Sequence, residues 1–529
     1  MNLLIINEKE AVDHMQLQFA EIINLLNEHH LLIKTILPPT VPPQVSAIAY
    51  DSRKSTTASL FFCKGAFKPA YLTAAQKKGA RAYMAESEIA AGTGMAAFIV
   101  RNIQKAMALI SAAFYGFPQN QLFIIAYTGT KGKTTSSYFT HQVLKQATSN
   151  QTALFSTIDR IVGPKPQQEF KSHLTTPESL DLFHDMRVAV DSGMTHLVME
   201  VSSQAYKKNR VYGLKFDVGV FLNITPDHIG PNEHPNFADY LHCKSQLLVN
   251  SRVCVINAQT KHLNEIYQVA HGTSQPQDIY LFARRDFQPT APIPTIDFRY
   301  QSQEADLTAS RFMLYSQTDK ARQLAIDGQY QLQLPGTFNE SNAVAAALTA
   351  GLGGAKKDEI KAGLAKAWVP GRMESLKTEQ HGTLYVDYAH NYASMKALLS
   401  FLEGQQPRAK VIVVVGSPGN KGVSRRAGFG KALTQYADQA FLTADDPGFE
   451  SPLKIAQEID AHIDHDKVAV TIEIDRKKAI QAAIASAGPN DIVVLAGKGD
   501  DAFQKIKGVD TPYPTDMVIA KEIVRGLQA

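Results

Sequence analysis

The chain has 529 residues, 44% of them apolar and 20% charged, with a formal net charge of +4. Such a chain is globular and long enough for three or four domains of about 150 residues each. So small a net charge excludes any argument for nucleic-acid binding from electrostatics alone. Cys63, Cys243 and Cys254 are the three cysteines, with no Cys-x-x-Cys pair and no paired histidines nearby. That pattern favours a reducing compartment and argues against a structural zinc. The stretch from Met1 to Glu10 turns charged early, so it reads as neither signal peptide nor membrane span, and a cytoplasmic location without membrane insertion is expected.

In chain order, short strand-like runs at Val45–Tyr50 and Ser59–Cys63 alternate with an alanine-rich stretch from Tyr71 to Ala80, and Tyr115-Gly116-Phe117-Pro118 is a turn signal. From Gln121 the pattern changes. Strands at Leu122–Ala126, Thr195–Met199, Val218–Leu222 and Val253–Ile256 alternate with helical segments, which predicts a parallel sheet with crossover helices. Polar alternating runs between 270 and 335 suggest an antiparallel excursion at the edge of that sheet. After an alanine-rich helix at Asn342–Ala350 and a turn at Val369–Arg372, a second α/β pattern begins, with strands at Thr383–Val386, Lys410–Val415, Gln439–Leu442, Ala469–Ile472 and Asp491–Leu495. The expected fold is α/β, three domains in series: 1–118, a central parallel-sheet domain at 119–370, and a Rossmann-like α/β domain at 371–529.

The most informative stretch follows the first central strand: Thr128-Gly129-Thr130-Lys131-Gly132-Lys133-Thr134. A buried strand that empties into a glycine turn and then a helix gathers backbone N–H groups and a helix N-terminus around one point, where polyphosphate binds. Lys133 then supplies charge to the outer phosphates, and the Thr134 hydroxyl is placed to hold Mg2+. The bland alternative is that both glycines merely turn the chain. Glu200 follows a central strand, where ligands gather in open parallel sheets, and is a candidate metal ligand; a helix cap or lysine partner is the plainer reading. His228, in Asn223-Ile-Thr-Pro-Asp-His228, sits at another strand end, where Asp227 could orient its imidazole toward a metal. Lys244, on a helix beginning near Phe237, would ordinarily be a solvated residue.

Taken in order, these pieces resemble the Mur ligases of bacterial cell-wall synthesis, and within them the members that add the third amino acid of the peptide stem. The matching stretches are Asp51-Ser52-Arg53 with Leu60-Phe-Phe; Thr128 to Thr135; Leu174-Thr175-Thr176-Pro177; Met199 to Ser203; Asn223 to His228; Phe237 to Lys244; Leu334-Pro335-Gly336 with Phe338-Asn339; Gly371 to Glu374; Asp387-Tyr388-Ala389-His390; and Ala496 to Gly499. The resemblance implies ADP-forming ligation; a monomer is expected. ATP phosphorylates the carboxylate of UDP-N-acetylmuramoyl-L-alanyl-D-glutamate, and an incoming amine attacks the acyl phosphate. Charge builds on the phosphoryl group and on the attacked carboxylate, so metal ions, Lys133 and backbone donors are what lower the barrier.

It further implies that Thr134 and Glu200 hold a first magnesium and His228 a second, and that Lys244 is carbamylated into a carboxylate-like ligand. Ser52, Thr175, Thr176, Ser202 and Arg210 match contacts to the UDP-muramyl substrate. Asn339, Arg372, Asp387 and His390 match residues that hold ATP, with the third domain closing to exclude water. Folylpolyglutamate synthase shares the loop and domain plan, but Asp51-Ser52-Arg53 and Thr175-Thr176 fit a UDP-sugar peptide better.

The choice of third residue is read at Asp445-Asp446-Pro447-Gly448. Members that add meso-diaminopimelate usually carry arginine at the fourth position, and Gly448 removes that cation, which by the cost of an unpaired charge gives ~100-fold discrimination. With Asp445 and Asp446 nearby, and Asp501 following Gly497-Lys498-Gly499, a side chain ending in an ammonium is favoured, L-lysine first and the shorter L-ornithine next. Meso-diaminopimelate held by Lys421 or Arg426 is an alternative within the class, as is a non-catalytic scaffold outside it. Lys421 replaces a common arginine and loses its bidentate geometry.

Overall fold

The computed structural model describes residues 15–230, 233–289, 293–305, 309–420 and 422–528. The chain packs as two compact units: residues 1–302 with 312–331 and 340–367, and residues 368–529 with 303–311 and 332–339.

The first unit opens on a five-stranded sheet. Its strands are β1 (Leu32–Ile36), β2 (Ala47–Ala49), β3 (Ser59–Phe62), β4 (Ala82–Ala85) and β5 (Ala96–Val100), in the order β1-β5-β4-β3-β2, parallel except for β1. The predicted strand over 45–50 is cut to Ala47–Ala49, its first residue Val45 pairing instead with Leu17.

The main sheet has eleven strands: β6 (Phe123–Thr128), β7 (Thr152–Phe155), β8 (Asp159–Ile161), β9 (Glu169–Lys171), β10 (His196–Glu200), β11 (Phe216–Phe221), β12 (Ser251–Asn257), β13 (Ile279–Arg284), β14 (Phe298–Ala305), β15 (Ser310–Ser316) and β16 (Gly328–Leu332). They run in the order β9-β8-β7-β10-β6-β11-β12-β13-β14-β15-β16. Strands β6, β10 and β11 are buried almost throughout, as expected for a parallel sheet covered on both faces. The chain moves from β6 to one side through β7 and β10, then crosses to β11 on the other, and ligands bind where the order reverses in this way.

One expectation is corrected at the far edge. Strands β12 and β13, and β13 and β14, pair in parallel, so the stretch from 270 is not simply antiparallel. Long connections, including the helix Leu263–His271, carry the chain back for parallel pairing, which no hairpin could do.

The second unit holds a six-stranded sheet of β17 (Glu374–Lys377), β18 (Thr383–Asp387), β19 (Val411–Val415), β20 (Gln439–Leu442), β21 (Ala469–Ile472) and β22 (Ile492–Ala496), ordered β17-β18-β22-β19-β20-β21 with only β17 antiparallel. A hairpin of β23 (Phe503–Ile506) and β24 (Val509–Pro512) follows. No helix among the described residues is long and apolar enough to cross a membrane. The cysteines are buried and unpaired with one another.

Candidate active site

The glycine loop leaves the carboxyl end of β6 and enters helix α1 (Lys133–Ala147). Gly132 caps that helix at φ +84°, and a Cβ there would lie 2.4 Å from Asn342 Oδ1, so the position requires glycine. The loop is fastened to the segment after β11. Asn223 Oδ1 accepts from Lys131 N at 2.9 Å while its Nδ2 donates to Lys131 O at 3.0 Å, and Thr225 N donates to Thr130 Oγ1 at 3.0 Å. Tyr240 OH meets the same hydroxyl at 3.1 Å.

Strand register brings Glu200, the last residue of β10, opposite Tyr127 of β6. Glu200 is fully buried, and its carboxylate accepts from Thr134 Oγ1 at 2.9 Å, Thr157 N at 2.7 Å and Thr157 Oγ1 at 3.0 Å. The Thr134 hydroxyl and Glu200 are therefore in contact, and a hydroxyl beside a carboxylate is the hard oxygen set that suits Mg2+. Thr157 was missed by the sequence reading. It follows the carboxyl end of β7, so the rule that singled out Glu200 could have found it.

Thr175, Thr176, Ser202 and Arg210 are linked to this acid through a chain of hydrogen bonds. Thr157 Oγ1 and Thr175 Oγ1 lie 3.1 Å apart, Thr176 Oγ1 donates to Glu200 O at 3.0 Å, and Ser202 N donates to Thr176 Oγ1 at 3.0 Å. Arg210 Nη1 donates to Thr176 O at 3.3 Å. Ser52 lies in the turn after β2, half-buried.

Lys244 is not a solvated helix residue. Helix α2 (Phe237–Val249) turns it inward, 2% exposed, so that Nζ donates to Gly129 O at 2.8 Å, the same carbonyl that Lys133 Nζ reaches at 2.9 Å. Burial, and then the neighbouring Lys133 charge, hold the Lys244 amine well below the usual lysine range. Lys131 is pushed down by burial to about 8, with Asp227 opposing the shift, so it remains mostly cationic at neutral pH.

His228 stands at φ +54° with a half-exposed side chain. Its orienting carboxylate is Glu233, at 2.8 Å from Nδ1; Asp227 instead accepts from the His228 backbone N–H at 3.0 Å. Nearby, His234, Asp239 and Cys243 have metal-ligand atoms within 4.8 Å of one another. That cluster is satisfied by its own hydrogen bonds: His234 Nδ1 lies 2.6 Å from Asp239, His234 Nε2 lies 2.9 Å from Ser203 Oγ, and Lys207 Nζ pairs with Asp239 at 2.8 Å.

In the second unit the candidates gather at strand ends. Asp387 closes β18 and accepts from Met373 N at 2.9 Å, Arg372 lies over the Tyr388 ring at 5.0 Å, and His390 Nδ1 is 2.9 Å from Tyr388 O. Asn339 is buried and donates to Pro335 O at 2.7 Å. A Cβ at Gly497 would lie 3.5 Å from Asp445 Oδ2. Asp501 N donates to Lys498 O at 3.1 Å.

Asp446 does not stand open to an incoming ammonium. Lys498, fully buried, lies 2.9 Å from its Oδ1 and 3.7 Å from Asp445, and Lys505 N donates to the same Oδ1 at 3.1 Å. Burial pushes the Asp445 carboxyl up, against the pull of Lys498 and Arg476. Arg426, 4% exposed, is paired with Glu458 and, at 2.6 Å, with Glu450. Pro447 and Gly448 run past Gly419 and Asn420, with Gly419 N donating to Asp446 O at 2.9 Å. Lys421 lies outside the described residues.

Residues 127–350 match the Mur ligase middle domain, and residues 371–499 match the Mur ligase glutamate ligase domain. A UDP-N-acetylmuramyl-tripeptide synthetase of Latilactobacillus sakei is 62% identical over 95% of this chain and 98% of its own length. The UDP-N-acetylmuramoyl-L-alanyl-D-glutamate–L-lysine ligase of Enterococcus faecalis is 47% identical over 91% of this chain and 92% of its own. Among solved structures, a UDP-N-acetylmuramoyl-L-alanyl-D-glutamate–2,6-diaminopimelate ligase superposes with a TM-score of 0.65 at 24% identity, covering 97% of this chain and 100% of that one, which speaks to fold alone.

Proposed function

The chain belongs to the Mur ligase family, and from that premise we propose that it is an ATP-dependent, ADP-forming ligase joining L-lysine to UDP-N-acetylmuramoyl-L-alanyl-D-glutamate. The product would be a peptidoglycan precursor, made in the cytoplasm and needed for cell-wall growth, cell shape and division. The observation that carries this reading is the meeting of Thr134, Glu200, Lys133 and Lys244 around the Gly129–Gly132 loop.

In this reading the loop N–H groups and Lys133 hold the outer phosphates of ATP. Thr134 and Glu200 would hold Mg2+, with His228 near a second ion; when bound, the metal offsets charge on the phosphoryl group. Thr175, Thr176, Ser202, Arg210 and Ser52 bind the UDP-muramyl dipeptide, while Asn339, Arg372, Asp387 and His390 bind ATP. The depressed Lys244 amine has a lone pair to offer CO2. The neutral amine nitrogen bonds to the carbon of CO2, the nitrogen gives up one proton to solvent, and an uncharged amine becomes an anionic carbamate whose oxygens can ligate a metal. We further propose three functional segments, 1–118, 119–370 and 371–529.

Three observations support lysine. Gly448 offers no guanidinium, and Arg426, the alternative cation for a second carboxylate, is already neutralised by Glu450 and Glu458. The Enterococcus faecalis relative is itself named as an L-lysine ligase. The experiment is ATP-dependent incorporation of labelled L-lysine, L-ornithine and meso-diaminopimelate into the UDP-muramyl dipeptide. Preference for diaminopimelate rejects the lysine reading, and no incorporation of any of the three rejects the ligase reading.

A further inference from the structure

The residues offered to the UDP-muramyl substrate are joined by a chain of charges that the sequence did not disclose. Glu178, which directly precedes the helix Ser179–Asp191, sends its two carboxylate oxygens in different directions. Oε1 accepts from Arg210 Nε at 3.0 Å and Nη2 at 2.8 Å, and Oε2 accepts from Lys64 Nζ at 2.7 Å. Lys64 follows β3 of the N-terminal sheet and lies 4.5 Å from the centre of the Tyr50 ring. Tyr50, two residues before Ser52, donates to Asp181 at 2.5 Å. A continuous path thus runs from the Ser52 turn through Lys64, Glu178 and Arg210 to Thr176 and Ser202.

The three charged side chains are between 14% and 19% exposed. Taking charges this far out of water is costly, and a mostly buried ion pair contributes little net stability by itself. Burial raises the Glu178 carboxyl, yet Arg210 and Lys64 together hold it below the ordinary range, so it is anionic at neutral pH. Two cations share the Glu178 carboxylate, while Asp181 stands at the hydroxyl end of the Tyr50 ring that Lys64 covers. Arg210 spends three of its five N–H donors on Glu178 and Thr176, and those contacts fix the plane in which the rest point.

We propose that Glu178 is a positioning residue that aims the Arg210 guanidinium at an acidic group of the UDP-muramyl dipeptide, and that Lys64 anchors Glu178 to the N-terminal sheet. The contacts at the two ends of the substrate are thereby held at a set distance. This rests on the ligase reading.

The test compares the wild type with Glu178→Gln, Lys64→Met and the double variant. UDP-muramyl dipeptide is titrated without ATP, and KM and kcat are measured with lysine. Loss of one charge partner should weaken dipeptide binding about ten-fold in Glu178→Gln and rather less in Lys64→Met, with the double variant within about two-fold of Glu178→Gln because the two act through one contact. The KM for ATP and kcat at saturating dipeptide should stay within about two-fold of wild type. Lys64→Arg should recover most of the binding, and it with Lys64→Met carries the test if Glu178→Gln does not fold. Wild-type binding in both single variants overturns the proposal. So does tighter binding, which would mean that Glu178 only screens the cations, and so does a parallel loss of ATP affinity and kcat, which would mean a structural role alone. A wild type that incorporates no amino acid would instead reject the ligase reading.

Discussion

Gly448 offers the sharpest test of how the proposed amino-acid site is built. It sits at φ +59°, and its N–H donates to Lys505 O at 2.9 Å while its carbonyl accepts from Lys507 N at 2.7 Å, tying the loop to the β23 hairpin. A Cβ would stand 3.0 Å from Asn420 Oδ1. That oxygen cannot readily yield, since it accepts from Phe449 N at 3.0 Å while Asn420 N is held by Glu450 at 2.7 Å. In Gly448→Ala the left-handed conformation alone costs about 1–2 kcal/mol. The free loop can relax, but it must return to this geometry to bind, so the strain subtracts from affinity and the KM for lysine should rise about 5- to 30-fold. The kcat at saturating lysine should hold. Gly448→Asn, which tolerates the left-handed region, should recover much of the loss. Phosphate release with ATP and the UDP-muramyl dipeptide saturating gives both constants. A wild-type lysine KM in Gly448→Ala would refute the reasoning, and an equal loss in Gly448→Asn would shift the cause from backbone strain to the Asn420 contact.

Lys244→Ala should lower turnover by more than about 100-fold, with partial recovery on adding a short carboxylic acid; failure of any acid to restore phosphate release would count against an anionic role at that position. Burial pushes the His141 imidazole down to about 4. Between pH 6.5 and 4 the unfolded chain therefore binds a proton that the folded chain refuses, and up to about 3 kcal/mol of stability is lost as the pH falls through that window. His141→Gln should flatten the acid limb in denaturant unfolding, and an unchanged pH dependence would contradict this. Asp516→Asn leaves Arg476, 1% exposed, without its 2.6 Å partner, which should destabilise the second unit by about 3–5 kcal/mol. An unaltered thermal midpoint would show that the pair is dispensable.

Local patterning carried much of the fold. The C-terminal strands at 411–415 and 439–442 fall on the apolar runs that signal them, because a strand buried between helices must be apolar over its own length. Strand ends also picked out the candidate residues, since Glu200, Asp387 and Gly497 stand at or just beyond the carboxyl ends of β10, β18 and β22. The glycine loop was legible for the same reason: its left-handed turn is written into the residues that make it.

What only the tertiary structure decided is the state of the charges. Lys244 looks like a surface lysine until a carbonyl 115 residues away receives it in a buried space. Asp446 is neutralised by Lys498, 52 residues on, and Arg426 by acids 24 and 32 residues on. Glu178 meets Lys64 across 114 residues. Backbone conformation and burial periodicity are short-range properties that neighbouring residues set, whereas desolvation and ion pairing depend on whichever distant side chains the folded chain brings within a few ångströms.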